Sequence, residues 1–454
     1  LIPLKLQKYF LLISGCFFYA FMVPWHLLIL AAIITGNFFY GRLAGRTDRG
    51  KLYLILIIIF NLGVLSLFKY YNFFNSNIEA FAQLIGWNYS IPALKLALPI
   101  GISFYTFKCL SYDVEVYRKN IPGEKRFGIF SLYILIYPEL LSGPIDRPQN
   151  IIPQLETGHA YDYEKVTSGL KLMAWGFFQK WVIADRLAPL VNHVYDNVYA
   201  FNGLSYVVAT FFFAFQIYCD FAAYSDIAIG AGEVLGFKFM KNFDRPYFSK
   251  SLSEFFHRWH ISLSTWLRDY LYTPLAIGTR SWGTTSVVFS LTVTFVLAGI
   301  WHGARMTFVI FGALYGIGLG YEVIAKRFNK KLAKTLPTTV YDLVCNFTTF
   351  GYVCFAWIFF RSNSIKEALY IVKNLYTGFH SYINILFQFH WAEIIKPLSL
   401  GMGPMDLYLA LVFISFLLAV HLFQRKTSIR YYVSQKPFVV RWALYLTLIL
   451  IILI

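Results

Sequence analysis

Charged residues are scarce in this 454-residue chain, and its few cysteines follow no pattern. Asp, Glu, Lys and Arg make up only 14% of the sequence, whereas 58% is hydrophobic and 20% is aromatic. Apolar runs near twenty residues recur along the whole length, as in proteins that cross a bilayer several times. This composition excludes a soluble multidomain enzyme. The five cysteines lie in apolar surroundings without paired spacing, which argues against disulfides and against a cysteine metal cluster.

The positive charge of the chain is spread over short clusters. There are 40 Lys and Arg against 23 Asp and Glu, and the basic residues gather between the apolar runs rather than along one stripe. This pattern is typical of cytoplasmic loops beside anionic headgroups and does not favour nucleic-acid binding. We therefore place four basic loops in the cytoplasm, at 42–51, 118–126, 326–334 and 425–430.

The apolar runs predict an all-α polytopic membrane protein with about 11–12 transmembrane or re-entrant helices. Prolines and glycines in "IPALKLALPIGISF" and "YPELLSGPIDRP" predict broken helices there. Without a repeat or a soluble segment, we expect one domain over 1–454, with a core at 97–325 and C-terminal helices at 326–454. The predicted spans are 9–23, 25–41, 51–73, 97–116, 128–142, 164–200, 203–236, 286–300, 304–325, 338–360, 405–423 and 437–454.

One apolar run, 203–236, contains an unusual number of polar side chains. Each carboxylate in such a run costs a few kcal/mol, so these groups should face a partner or a wet cavity. Taken together they indicate a water-filled path, although each alone is equally well explained as a packing group that hydrogen-bonds a neighbouring helix. The residues are Gln216, Asp220, Ser225, Asp226 and Glu233.

The stretch "SLSEFFHRWHISLSTWLRDYLY" (251–272) combines histidines, aromatics and charges. Its periodicity predicts an amphipathic helix over 252–272, lying along the cytoplasmic interface or dipping into the protein. His257 and His260 are three residues apart, but no third ligand follows at a suitable spacing, so no metal site is predicted. Arg245, Arg258 and Arg268 either clamp an anionic group, such as the phosphates of a coenzyme, or simply follow the positive-inside rule.

His302 stands alone after an uncharged, mostly apolar run of about sixteen residues. At ~1.5 Å per residue, that run carries the imidazole well into the bilayer. An ionisable group at such depth indicates function, with a hydrogen-bonded packing residue as the alternative.

Several motifs make the chain resemble the membrane-bound O-acyltransferase family, in particular its bacterial alginate and peptidoglycan O-acetyltransferase branch. They are "LPIGISFYTFKCLSYDVEVYR", "YPELLSGPIDR", "GFFQKWVIADRLAP", "FQIYCDFAAYSDIAIG", "NFDRPYFSKSLSEFFHRWHISLSTWLRDYLYTPL" and "AGIWHGARMTFVIFGALYGIGL". The resemblance implies helices around a central funnel, with His302 as the membrane-embedded catalytic histidine and His260 as a second polar residue on the funnel side.

The resemblance also implies the chemistry. A neutral imidazole at His302 either takes the proton of the acceptor hydroxyl directly or works through a covalent acyl intermediate. Acetyl-CoA or another acyl thioester is the donor substrate, with no bound cofactor. The oxyanion stabiliser stays open among Trp301, Ser262 and Asn242. These three residues, together with Arg245, Arg258, Arg268, Asp220, Tyr224 and Asp226, are the candidates for substrate and donor binding.

The implied setting is the bacterial cytoplasmic membrane. The expected partners are an extracytoplasmic acyltransferase or esterase-like protein, or a small tyrosine-bearing subunit, which passes the acyl group to a polysaccharide; no nucleic acid is expected. Two other functions remain possible from the residues alone. In a transporter, the carboxylates and His302 form a proton path, and in a scaffold of an envelope assembly the polar cluster serves only helix packing.

Overall fold

The computed structural model describes residues 3–44, 49–94, 96–378 and 398–453, and every regular element in these ranges is helical. Seven helices in them are long and apolar enough to cross a membrane. Large apolar side chains are widely exposed, among them Val439 (76%) and Leu453 (74%), as expected where lipid covers the surface. The prediction of an all-α polytopic membrane protein is confirmed.

The first part of the chain contains ten α-helices. A π-helical turn, Ser66–Tyr70, joins the third to the fourth, and another, Phe178–Ala184, joins the ninth to the tenth. The helices are α1 (Leu4–Met22), α2 (His26–Ala44), α3 (Gly50–Leu65), α4 (Tyr71–Leu84), α5 (Ile102–Tyr117), α6 (Phe127–Leu135), α7 (Tyr137–Leu140), α8 (Pro148–Glu156), α9 (Tyr163–Phe177) and α10 (Asp185–Tyr195).

The second part begins with the longest described helix, of 32 residues, and continues through short helices to a helical hairpin. These elements are α11 (Gly203–Val234), α12 (Leu252–Arg258), α13 (Ile261–Leu267), α14 (Thr273–Gly278), α15 (Thr284–His302), α16 (Met306–Ile324), α17 (Lys326–Thr335), α18 (Thr338–Arg361), α19 (Ile365–Asn374), α20 (Pro404–Phe423), α21 (Ile429–Ser434) and α22 (Phe438–Leu453).

Helix breaks occur at both proline- and glycine-rich stretches. In the first stretch the backbone is not helical before Gly101, whose φ of 76° favours glycine. In the second stretch the chain forms only the four-residue helix α7 before α8 begins at Pro148. The amphipathic helix predicted over 252–272 is wrong as a continuous element, because the chain breaks between α12 and α13. The basic loop at 42–51 lies partly outside the described residues, which omit 45–48.

The chain forms two compact units, and the prediction of a single domain with a core at 97–325 stays a prediction. The first unit comprises Leu1–Gly169, Ala228–Lys241 and Thr265–Leu271. Its interior contains several buried polar side chains: the Asn37 and Asn61 amides bond each other at 3.0 and 2.8 Å, and Asn61 also donates to Asp113. A buried ion pair joins Lys108 and Glu139 at 3.0 Å. Such groups are tolerated in an interior only when they satisfy one another.

The second unit comprises Leu170–Ile227, Asn242–Ser264 and Tyr272–Ile454. Its core combines aliphatic side chains with many aromatic rings, and Trp259 makes ring contacts there to Phe255, Tyr247 and Trp357. Because α12 contributes Phe255 to this core, the short helix is anchored just before the break at His260. Both histidines predicted to be catalytic lie in this unit.

Candidate active site

Asn242 organises the polar centre of the second unit. Its Oδ1 accepts hydrogen bonds from the Ser262 hydroxyl at 3.0 Å and the Ser262 backbone N–H at 3.3 Å, and it lies 3.0 Å from Nδ1 of His260. Its Nδ2 donates to the Ser225 hydroxyl of α11 at 3.0 Å. All four residues are buried. The side-chain amide thus ties the loop after α11 to the start of α13.

These contacts determine the tautomer of His260. A backbone N–H only donates, so the atom of Asn242 facing Ser262 is the oxygen, and the nearby Nδ1 of His260 must carry the proton. Burial, followed by the neighbouring His302, lowers the pKa of His260 well below its ordinary value, and the ring is therefore neutral near pH 7. Its Nε2 then presents a lone pair, and this buried atom has no hydrogen-bond partner among the described residues.

The backbone of His260 is unusual. Its φ of 43° lies in the left-handed region, which costs a residue other than glycine about 1–3 kcal/mol. Hydrogen bonds on both sides hold it: Ile261 N–H donates to the Asn242 carbonyl and Ser264 N–H to the His260 carbonyl, each at 2.9 Å. Strain maintained in this way is common at functional sites, because it points a side chain where a regular helix would not.

Aromatic rings surround the two histidines. The Phe221 ring meets the His260 ring edge-on with centroids 4.6 Å apart, and Trp301 lies 6.2 Å from His260. Trp301 is also 4.9 Å from His302, whose other ring neighbours include Phe360 at 5.5 Å. His302 is half-buried rather than sealed. The rings of both histidines therefore contact Trp301.

Glycines set the position of His302 at the end of α15. A Cβ on Gly299 would collide with the carbonyl oxygen of Phe308, and a Cβ on Gly312 would collide with that of Phe295. Small residues allow helices in membranes to approach this closely. The α15–α16 hairpin is therefore tightly packed where the chain turns after His302.

The predicted arginines are ion-paired with nearby carboxylates. Arg258 bonds Glu254 at 2.6 Å within α12, and Nε of Arg245 donates to Asp244 at 3.0 Å. Arg268 is exposed, belongs to the first unit and pairs with Asp269 at 2.8 Å. The structure thus does not gather the three around one point in the second unit, and their donor-binding role stays a prediction.

Three predicted residues of α11 have different surroundings. Asp226 accepts a hydrogen bond from Gln179 at 2.9 Å. Asp220 is exposed and pairs with Lys180 at 2.6 Å, and Tyr224 is half-buried. Gln179 and Lys180 both belong to the π-helical turn, so this turn pairs with successive polar positions of α11. The water-filled path predicted from these side chains stays a prediction.

Metal binding finds no support in the described residues, where no group of three or more His, Cys, Asp or Glu side chains could hold an ion. The chemistry available to the pocket is that of two imidazoles, one of them fixed as a buried, neutral proton acceptor. Such groups serve proton transfer at a hydroxyl.

Comparison with known proteins identifies the family. The family model for "MBOAT, membrane-bound O-acyltransferase family" matches residues 121–365. The chain is also 37% identical over 371 residues to a probable alginate O-acetylase AlgI of Azotobacter vinelandii, covering 81% of this chain and 72% of that protein. The chain belongs to the membrane-bound O-acyltransferase family.

The chain is also similar to two relatives with other names. A peptidoglycan O-acetyltransferase of Helicobacter pylori is 30% identical over 397 residues, which cover 81% of this chain and 73% of that protein. A teichoic acid D-alanyltransferase of Streptococcus thermophilus is 29% identical over 287 residues, covering 58% of this chain and 68% of that protein. As a membrane-bound O-acyltransferase, the chain is an enzyme, which decides against the transporter and the scaffold.

His260 and His302 both stand out in the sequence of this O-acyltransferase, but the contacts that hold His260 do not. The Ser225–Asn242–His260 chain of contacts has no local signal, because it joins positions that are far apart in sequence. Arg147 was missed as well; it ends the quoted motif "YPELLSGPIDR" and lies in a cleft of the first unit. The only signal for it in the sequence is an arginine at the end of a glycine- and proline-rich break.

Proposed function

We propose that this enzyme transfers an acetyl group from acetyl-CoA, supplied in the cytoplasm, towards hydroxyls of a cell-envelope polysaccharide. The proposal places it in a bacterial cytoplasmic membrane and includes an extracytoplasmic partner that completes the transfer. Relatives named for alginate and peptidoglycan O-acetylation support the acceptor class. The observation that carries the proposal is the pairing of a neutral, oriented His260 with His302 across Trp301.

In the proposed mechanism His302 is the general base. Its imidazole takes the proton of the acceptor hydroxyl while that oxygen attacks the acyl carbon, forming the new C–O bond. The C–S bond then breaks, and the departing thiolate takes the proton from the imidazolium and leaves as free thiol. An aromatic wall favours this transfer because it excludes water, which would otherwise hydrolyse the thioester.

His260 supports the same step from its side of the pocket. With Nδ1–H directed at Asn242, its Nε2 is available as a hydrogen-bond acceptor for the incoming hydroxyl. Trp301 remains the proposed donor to the oxyanion, because the hydroxyl and the backbone N–H of Ser262 both already donate to the Asn242 oxygen. The Asn242 oxygen already accepts the Ser262 contacts, which suits a residue that orients its neighbours.

The test is acetyl transfer by purified full-length protein in proteoliposomes, from radiolabelled acetyl-CoA to an added polysaccharide, with and without the partner. We expect transfer by the wild type and its loss in His302→Ala at unchanged protein amount. His257→Ala is the matched control, because His257 is exposed and bonds only to the Ser253 carbonyl of its own helix. Undiminished transfer by His302→Ala would refute the proposed role.

A further inference from the structure

A polar cleft of about 410 Å³ opens in the first unit, lined by residues that take no part in the proposed proton transfer. Its volume lies in the range of about 300–1,000 Å³ that is usual for small-molecule sites. None of its described lining side chains is aliphatic. The lining residues are Glu115, Arg147, Gln149, Asn150, Asp269 and Tyr270.

Arg147 is the central cation of this cleft. Only 14% of its side chain is exposed, and its two terminal nitrogens are buried without a hydrogen bond to any described residue. The Asp269 carboxylate lies 3.5 Å from Nη2, and the guanidinium lies over the Tyr270 ring at 4.7 Å. The ring contact orients the guanidinium but uses none of its five N–H donors.

Two more arginines contribute charge nearby. Arg118 lies over the same Tyr270 ring at 5.5 Å and donates to the Asp269 carbonyl at 3.3 Å. Arg268 donates from Nε to the Asp269 carboxylate at 2.8 Å. The lining itself carries one guanidinium and two carboxylates, and Arg118 and Arg268, which pair with Glu115 and Asp269 from outside the lining, bring the sum of these five charges to one positive.

The Glu115 carboxylate is held by several hydrogen bonds, so it is not available to repel an anion or to bind a cation. Its oxygens accept from the Tyr270 hydroxyl at 2.8 Å, from Gln149 at 2.5 Å and from Asn120 at 2.8 Å. The side chain is 8% exposed, and Arg118 lies 3.8 Å away. This carboxylate therefore acts as a hub that holds the cleft walls together.

We propose that this cleft binds a phosphate group of the thioester donor, an inference that rests on the proposed function. A guanidinium offers planar paired donors to phosphate oxygens, and a preformed one loses little entropy in binding. The amides of Gln149 and Asn150 suit the polar organic part of a nucleotide. A phospholipid is disfavoured, since the walls offer no aliphatic surface to its chains. The adjacent 118–126 loop belongs to the basic clusters that the positive-inside rule places in the cytoplasm.

The experiment measures equilibrium binding to purified full-length protein in phosphatidylcholine nanodiscs. The probes are CoA and, as its phosphate-free counterpart, pantetheine, and inorganic phosphate serves as competitor. We expect Arg147→Gln to weaken CoA binding about tenfold or more, the loss of one charge-assisted contact, and to leave pantetheine unchanged. Arg147→Lys should lose less, because it keeps the charge but not the paired donors.

Arg327→Gln, an exposed arginine of α17, is the matched control and should bind CoA as the wild type does. A folded Arg147→Gln with unchanged CoA affinity would overturn the inference. The inference would also be overturned if Arg147→Gln bound CoA normally and lost only a preference of the wild type for nanodiscs that contain phosphatidylglycerol. That result would assign the cleft to a lipid headgroup.

If Arg147→Gln does not fold, the exposed Arg118 is replaced instead, and Arg118→Gln should weaken CoA binding about threefold. Unchanged CoA affinity in Arg118→Gln would also overturn the inference. The binding measurement needs no catalysis. A failure of acetyl transfer by the wild type therefore refutes the proposed function, whereas intact transfer with unaltered CoA affinity in these variants refutes only the cleft.

Discussion

His260 lies in the break after α12 and His302 is the last residue of α15, and the two histidines are held in different ways. His260 is buried, has a left-handed backbone and is fixed in one tautomer by the Asn242 amide. His302 is half-buried at the C-terminus of α15, where glycine packing positions the helix and rings contact the imidazole. The difference fits the proposed division of labour, in which the accessible imidazole moves the proton and the buried one fixes the substrate.

The largest expected effect separates the two histidines directly. His302→Ala should lower kcat by about 10²–10⁴-fold, the usual contribution of a general base, whereas His260→Ala should lower it less. Single-turnover acetyl transfer in proteoliposomes measures both. A larger loss in His260→Ala than in His302→Ala would reverse the proposed roles.

A larger side chain at Gly299 should destabilise the packing of α15 against α16. Gly299→Val places a side chain against the Phe308 carbonyl and should lower the free energy of unfolding by at least about 1–3 kcal/mol. Thermal melting in detergent measures the loss. Gly351→Val is the matched control, because nothing lies within 4 Å of a Cβ at that position. Equal melting temperatures for the two variants would mean that the α15–α16 contact does not position His302.

Removal of the Asn242 side-chain amide should disturb the orientation of the His260 ring. Asn242→Ala leaves the Nδ1–H of His260 and the Ser262 hydroxyl without their shared acceptor, at a cost of about 1–3 kcal/mol, and should lower kcat about tenfold. Asn346→Ala, which removes an amide that donates to the Phe248 and Ser249 carbonyls, should lower stability without the same loss of kcat. Identical kcat values for the two variants would contradict an orienting role.

The smallest expected effect concerns the ion pair just before His260. Arg258→Gln removes a partly exposed i, i+4 pair and should lower stability by no more than about 0.3–0.5 kcal/mol, with little change in KM for acetyl-CoA. Glu254→Gln breaks the same pair but keeps the positive charge. A tenfold rise in KM in Arg258→Gln alone would instead support the donor-binding role expected from the sequence.

The membrane fold was predictable because its signals are local, and the two histidines are conspicuous in the sequence for the same reason. A helix such as α18 follows from a mostly apolar run, and the isolation of His302 after another such run marks it without knowledge of its neighbours. The break at His260 was not predictable. Trp259 and Leu263 continue the apolar face of an ideal helix through it, and the hydrogen bonds that stabilise the left-handed backbone come partly from Asn242.

The non-local contacts of the site were equally hidden. Arg147 meets Tyr270 only because the first unit brings together two stretches that are distant in sequence. Conversely, Asp220 is conspicuous in the sequence as a charge in an apolar run, yet it is exposed and paired with Lys180. A charged residue within an apolar run thus indicates that an ion-pair or hydrogen-bond partner is needed, and the tertiary structure determines which residue is that partner.

The π-helical turn Phe178–Ala184 makes this part of the chain sensitive to length as well as to identity. Such a turn contains an extra residue relative to an α-helix, and loss of a single residue there would close it to a regular α-helical turn and change the direction in which the side chains of the turn point. Gln179 and Lys180 would no longer meet Asp226 and Asp220 in register. One-residue deletions within 178–184 should therefore be far more harmful than substitutions at the same positions.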